Sequence, residues 1–465
     1  MKWVFLGVLA LAVGLYVVAK VTMPVVKSEG VVTLVWATDE NPARKEQLDL
    51  FRAWYLKKYG EKIDVRIDPA NTQSNKVVVQ SVAGTGPDMF DLFARPTLEA
   101  YVQSGIILDV TDEAKKHDFY YDKVWESVHP SFVYQGRQYG FPDNAVGSGF
   151  FYHKDLFDQA GVPYPKPGWT WNDFLKIAPK LTKKRPDGQK QFALYNADPL
   201  SMIYQNGGRI FNENATKCII DSPKALYALQ FYADLREKGY IPSASDIASQ
   251  ASSGGWGTGG TNLFAAKFYA MSLAGRYWLI QYTKDTEAAL QRGEKAPYNL
   301  GVADIPQFTE QHGFAGARVT GINRNGKQIK YALRFIEFLA SEPFNKQINR
   351  SFDAMATVKE YCQGPTGIAD GPAPLPGLEI ANDDTWVRSM RYSKESDYSP
   401  FISTNRWRTL WPETLGLMDA GQATPKQVLS TFEKLVNEEI QRNIKRDPDL
   451  RMKYNQALKQ EGSNE

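Results

Sequence analysis

Residues 31–93, VVTLVWATDENPARKEQLDLFRAWYLKKYGEKIDVRIDPANTQSNKVVVQSVAGTGPDMFDLF, carry the pattern that decides the fold. Val31 to Trp36 is an apolar run of strand length, as a strand covered on both faces of a parallel sheet should be. Arg44 to Tyr59 spaces Leu48, Phe51 and Tyr55 at helical intervals beside Leu50 and Trp54, and Gly60 ends the pattern. Ile63 to Ile67 alternates like a second strand, Asn75 to Ala83 reads as a helix closed by Gly84, and Met89 to Phe93 reads as a third strand. Strand, helix, strand, helix, strand requires right-handed crossovers, which predicts an α/β fold with a parallel, doubly wound sheet.

Further along, helices announce themselves through their caps. Thr170-Trp171-Asn172-Asp173 resembles a capping box ahead of Phe174, Ile177, Ala178 and Leu181. Asp221-Ser222-Pro223 places Pro at the first helical position, and Thr424-Pro425-Lys426-Gln427 opens a helix carrying Leu429, Phe432, Val436 and Ile440. Ala332, Phe335, Ile336 and Leu339 form another stripe. Two stretches read as loops: Ser252 to Gly260, with a single Trp256, and Gln363 to Gly377, rich in Pro and Gly. From Arg442 onward the tail is charged and is expected to fray.

The 465 residues hold 55 Lys and Arg against 52 Asp and Glu, a net charge of +3, which gives no support to a nucleic-acid partner. The longest cationic cluster, Lys183 to Arg185, reads as a solvated helix end. Cys218 and Cys362 form no CxxC pair, and His117, His129, His153 and His312 lack ligand spacing, so no metal site is expected. The two cysteines are compatible with one disulfide or with two buried thiols. Between Lys2 and Lys20 the chain is mostly apolar, the pattern of a cleaved signal peptide or a retained membrane anchor over residues 1–27. Either places the rest outside the cytoplasmic membrane.

Catalytic motifs fail on inspection. Gly84-Thr85-Gly86-Pro87-Asp88 follows a helix and lacks the Lys-Ser/Thr of a phosphate-binding loop, and Gly147-Ser148-Gly149 lacks the spacing of a nucleophile elbow. Asp39, Glu40, Asp88, Asp143 and Asp198 show no spacing that establishes a facing acid/base pair. No enzyme activity and no cofactor are expected.

Several segments, in order, resemble the extracellular solute-binding proteins of ABC importers, the carbohydrate branch that includes maltose-binding protein. They are Val32 to Trp36 with its helix, SVAGTGPDMFDLF (81–93), SGIILDVTD (104–112), YQGRQYGFPDNAVGSGFFYHKDLFDQAGVP (134–163), WTWNDFLKIAPKLT (169–182), FAAKFYAMSLAGRYW (264–278) and YNLGVADIPQ (298–307). His153 and Ala266 depart from the family pattern. Arg318 stands where the family more often has small residues, and is free to meet an acidic sugar or to pair with a carboxylate.

The resemblance implies a two-lobed periplasmic-binding-protein fold with a ligand cleft and three crossing segments. Residues 30–142 plus 306–349 would form the first lobe, 143–305 plus 350–445 the second, and 446–465 the tail, with crossings near Pro142 to Gly147, Ile305 and Asn349. Ligands in such sheets lie beyond the carboxyl ends of strands, which nominates Trp36, Asp39, Arg95, Asp143 and Asn144. The resemblance adds Tyr204, Trp256, Gly275, Arg276, Trp278 and Trp386, with Arg318 just ahead of a strand. Core packing is the competing role for Trp36 and Trp278, and ion pairing for Arg95 and Arg276. The implied function is extracytoplasmic binding of a sugar or oligosaccharide by a monomer that delivers it to membrane permease subunits. A polyamine or polyol phosphate receptor, a sensor and a carbohydrate-active enzyme are the alternatives.

Overall fold

The computed structural model describes residues 31–461 except 42, 70–72, 244, 248–259, 363–367, 369–370 and 395–396. The amino-terminal segment and Trp256 lie outside the described residues. The described strands, in chain order, are β1 (Val32–Ala37), β2 (Ile63–Ile67), β3 (Met89–Leu92), β4 (Val133–Tyr134), β5 (Arg137–Gln138), β6 (Phe141–Val146), β7 (Ser148–His153), β8 (Lys183–Lys184), β9 (Lys190–Tyr195), β10 (Tyr269–Gly275), β11 (Leu300–Ala303) and β12 (Gly316–Ile322).

They form two five-stranded sheets, ordered β2-β1-β3-β12-β6 and β11-β7-β10-β9-β8, and a small β4-β5 hairpin. β1 runs parallel to β2 and β3, as the opening pattern requires. β12 runs antiparallel to both β3 and β6, because it enters the first sheet from the second. Coverage of β1 is less complete than its apolar run suggests: Thr33 is exposed, and unbroken burial starts at Trp36, where β3 joins.

Helices cover both sheets. Phe335, on helix Ile329–Leu339, sits 4.9 Å from Phe51 and 5.0 Å from Trp36, locking two helix stripes onto β1. In the second lobe the capping boxes at Thr170 and Thr424 both form, and Ser222 accepts from the Ala225 N–H. Two expectations need correction. Lys183 and Lys184 pair with β9 as a short strand, since helix Trp171–Leu181 ends before them. The tail is helical: Ile440 and Ile444 are buried, and Tyr454, on helix Pro448–Glu461, meets Phe401 edge-on at 5.0 Å. Its partner comes from a different part of the chain, which local periodicity does not reveal. Cys218 and Cys362 are free thiols in separate cores, each pushed up to about 12 by burial.

Passages between the sheets define the hinge. The first is Gly147, between β6 and β7, so Asp143 and Asn144 belong to the first sheet rather than the second lobe. A side chain at Gly147 would collide with Ser389 Oγ. The second passage joins β11 to β12. The third falls later than Asn349: the Asn349 amide holds Ala356 N and Tyr361 O, and Met355 and Val358 still bridge to Ala145 and Val124. Gly377 then accepts from Leu300 N beside the second sheet.

Candidate functional site

The strand ends of the first sheet converge on a buried charge cluster. Asp353 is its hub, presented between Phe352 and Ala354, whose φ angles of 59° and 64° are left-handed. One carboxylate oxygen accepts from Arg44 Nη1 and Arg318 Nη2, each at 3.1 Å. The other accepts from the amides of Asn41 at 3.2 Å and Asn144 at 3.1 Å. Arg44 also reaches Asp39 at 2.6 Å, and Arg318 Nε reaches Asp143 at 3.2 Å. Beneath them Asp91 accepts from the Trp36 indole N–H at 2.8 Å and from Thr38 at 2.5 Å. Five segments distant in sequence thus meet at one salt-bridged network.

Two guanidiniums face four carboxylates, and the acids divide accordingly. Burial raises Asp353, but Arg318 and Arg44 outweigh it and hold the group well below the usual carboxylate range. Asp91 is pushed up to about 7 by burial and by Asp143, and Asp143 to about 6 by burial against the pull of both arginines. Near neutral pH these two share titrating protons as a pair. Burial works against the Arg318 charge, yet Asp353, Asp143 and Asp91 raise its pKa overall.

Above this network lies a cavity of about 400 Å³. Its first-lobe and hinge walls carry Asp39, Asn41, Phe93, Asn144, Val146, Gly316, Ala317, Arg318 and Asp353, and its opposite wall carries Thr261, Tyr277, Trp278 and Gln281. Gly275 shapes that second wall, since a Cβ there would press on the Tyr277 ring and Val146. Among the described residues no group of His, Cys, Asp and Glu is arranged to hold a metal ion.

The cavity brings Asp39, Asn144, Trp278 and Arg318 together, with Gly275 behind Tyr277. The other nominated side chains lie elsewhere. Trp36 and Asp143 are fully buried and brace the network from beneath. Tyr204 is buried against the His312 ring at 4.7 Å, and Trp386 is buried with its indole N–H on Ile380 O. Arg276 is spent on the carbonyls of Ala381, Ala354 and Asn349. Arg95 bonds Glu99 and lines a neighbouring cavity. The corrections share a cause: neither a position after a strand nor a matched segment says which way a side chain turns.

Sequence reasoning missed Asn41, Phe93, Thr261, Gln281 and above all Asp353. Asn41 and Phe93 follow β1 and β3, so the same strand-end rule could have found them. Asp353 carried no local signal.

The chain belongs to the bacterial extracellular solute-binding protein family, whose model matches residues 37–346. Similar solved structures share its two-lobed periplasmic-binding-protein fold. The ABC substrate-binding protein Lmo0181 of Listeria monocytogenes, solved with cycloalternan, is 23% identical with a TM-score of 0.67, covering 88% of this chain and 98% of that one. The sugar-binding protein MalE of Xanthomonas citri is 16% identical with a TM-score of 0.69, covering 88% and 98%. A putative binding protein of Brucella abortus is 23% identical over 324 residues, 66% of this chain and 72% of its own length. The family and these relatives are binding proteins.

Proposed function

We propose that this protein binds a sugar or oligosaccharide between its lobes, outside the cytoplasmic membrane, and delivers it unchanged to the permease subunits of an ABC importer. The observation that carries the reading is the pairing of cavity walls. Asp39, Asn41, Asn144 and Arg318 offer planar donors and acceptors on one side, and Tyr277 and Trp278 offer aromatic surface on the other. A pyranose needs both, since its hydroxyls seek bidentate polar partners and its CH face seeks an aromatic ring. The polar groups are already ordered by the Asp353 network, so little side-chain entropy is lost on binding. A ligand touching both walls favours the closed arrangement of the lobes.

Thermal unfolding of a soluble form starting at Ser28, alone and with saccharides, polyamines and polyol phosphates, tests this. A ligand at 100 times its dissociation constant stabilises the native state by about 2.7 kcal/mol. A shift with a saccharide that is then recovered intact is the expected result. A shift with only a polyamine or a polyol phosphate would overturn the sugar reading, and consumption of the saccharide would overturn the non-catalytic one.

A further inference from the structure

A second cavity of about 400 Å³ adjoins the first, and Phe93 and Gly316 line both. Phe93 is 55% exposed, a large apolar ring standing at the junction of two chambers between the lobes. Two joined chambers call for a ligand longer than one that fills either alone.

The two chambers differ in charge. In the first, the Arg318 guanidinium is matched by Asp353 and Asp143, so the acidic-sugar role open to Arg318 in the sequence has no basis there. The second is lined by Arg95, Lys394 and Arg408 and by no carboxylate. The acids near these cations do not line the chamber. Glu99 bonds Arg95 at 3.1 Å but is buried and also accepts from Thr404 N and Oγ1. Glu310 is 3.9 Å from Lys394, and Asp198, which feels Arg408, has both oxygens engaged in capping Leu200 and Ser201. The same wall holds Trp407, fully buried, whose indole N–H finds no acceptor among the described residues. A buried donor without a partner is costly unless a ligand or water supplies the acceptor. Ser127 and Ser131 add hydroxyls from the first lobe.

We propose that the ligand is an oligosaccharide spanning both chambers, with an anionic unit, a carboxylate or sulfate ester, seated among Arg95, Lys394 and Arg408. This rests on the sugar reading of the first chamber and extends it to chain length and charge.

Gly316 provides the sharpest test. Open space surrounds the position a Cβ would take, so a side chain can leave the Gly316 backbone without contact, and Gly316→Leu narrows the junction. Lys394 and Arg408 are exposed, and K394Q/R408Q leaves the core untouched. Isothermal titration would compare neutral oligosaccharides of two to six units with matched series ending in a uronate or carrying a sulfate, at low and high ionic strength. The longer acidic ligands should bind roughly tenfold more tightly than neutral ones, with the advantage shrinking in salt. K394Q/R408Q should bring the two series to near parity, and Gly316→Leu should remove the gain with length. Whether the uronate or the sulfate series carries the preference assigns the anion. Equal binding of neutral and acidic series, or no gain with length, would overturn this inference and leave the sugar reading standing. Binding of no saccharide of any kind would overturn both.

Discussion

Asp353 shows how much one side chain can organise: it gathers two guanidiniums and two amides from three distant segments, and its neighbours take left-handed backbone to present it. The acids deeper in the network carry a pH dependence. Asp91 and Asp143 have folded pKa values of about 7 and about 6, raised from an ordinary 3.8. Between these limits the folded chain retains protons that the unfolded chain releases. Their contribution is therefore fully present below pH 3.8 and lost as pH rises through about 6 to 7. Asp353, shifted the other way, loses its contribution only as pH falls through the acid range. The buried His153 and His312, held down to about 4, act in the opposite sense over part of this range, so the expected outcome is a difference: from pH 5 to pH 8 the wild type loses melting temperature relative to Asp91→Asn, read by calorimetry on both. An unchanged slope would show that Asp91 is ionised throughout.

Elements were legible wherever their boundary chemistry is local. The Thr170 box is an instance: Thr170 accepts from the Asp173 N–H at 3.2 Å, and Asp173 accepts from the Thr170 N–H at 3.1 Å. Thr170→Ala should destabilise the protein by about 1 kcal/mol without weakening ligand binding, since a cap serves its helix and this one lies outside both chambers. Urea unfolding beside a ligand titration checks both halves. Where an element depends on a distant partner, local reading fails. Helix Pro448–Glu461 is charged along its length and is held where Tyr454 meets Phe401. Lys183 and Lys184 become a strand because β9 lies alongside.

Across the whole molecule, three passages join two sheets, and small or hydrogen-bonded residues hold them: Gly147 against Ser389, and Asn349 clamping the third segment to the first lobe. Arg388 spans Asp384 and Asp304, tying helix Thr385–Tyr392 to the second passage. A ligand gripped by Asn144 on one wall and Trp278 on the other should draw the lobes together. Small-angle X-ray scattering with a bound saccharide should report a smaller radius of gyration. An unchanged radius would indicate that binding engages one lobe alone.

The α/β class, the opening crossovers and the capped helices were determined by sequence alone, because hydrophobic period and cap chemistry act within a few residues. The facing of side chains was not. Trp36, Asp143, Tyr204, Arg276 and Trp386 were placed near strand ends or matched segments, but only the packed sheets turn them inward. Asp353 and the second chamber belong wholly to the tertiary structure. Each exists because residues hundreds of positions apart meet, and no spacing along the chain encodes a contact that depends on how two lobes lie together.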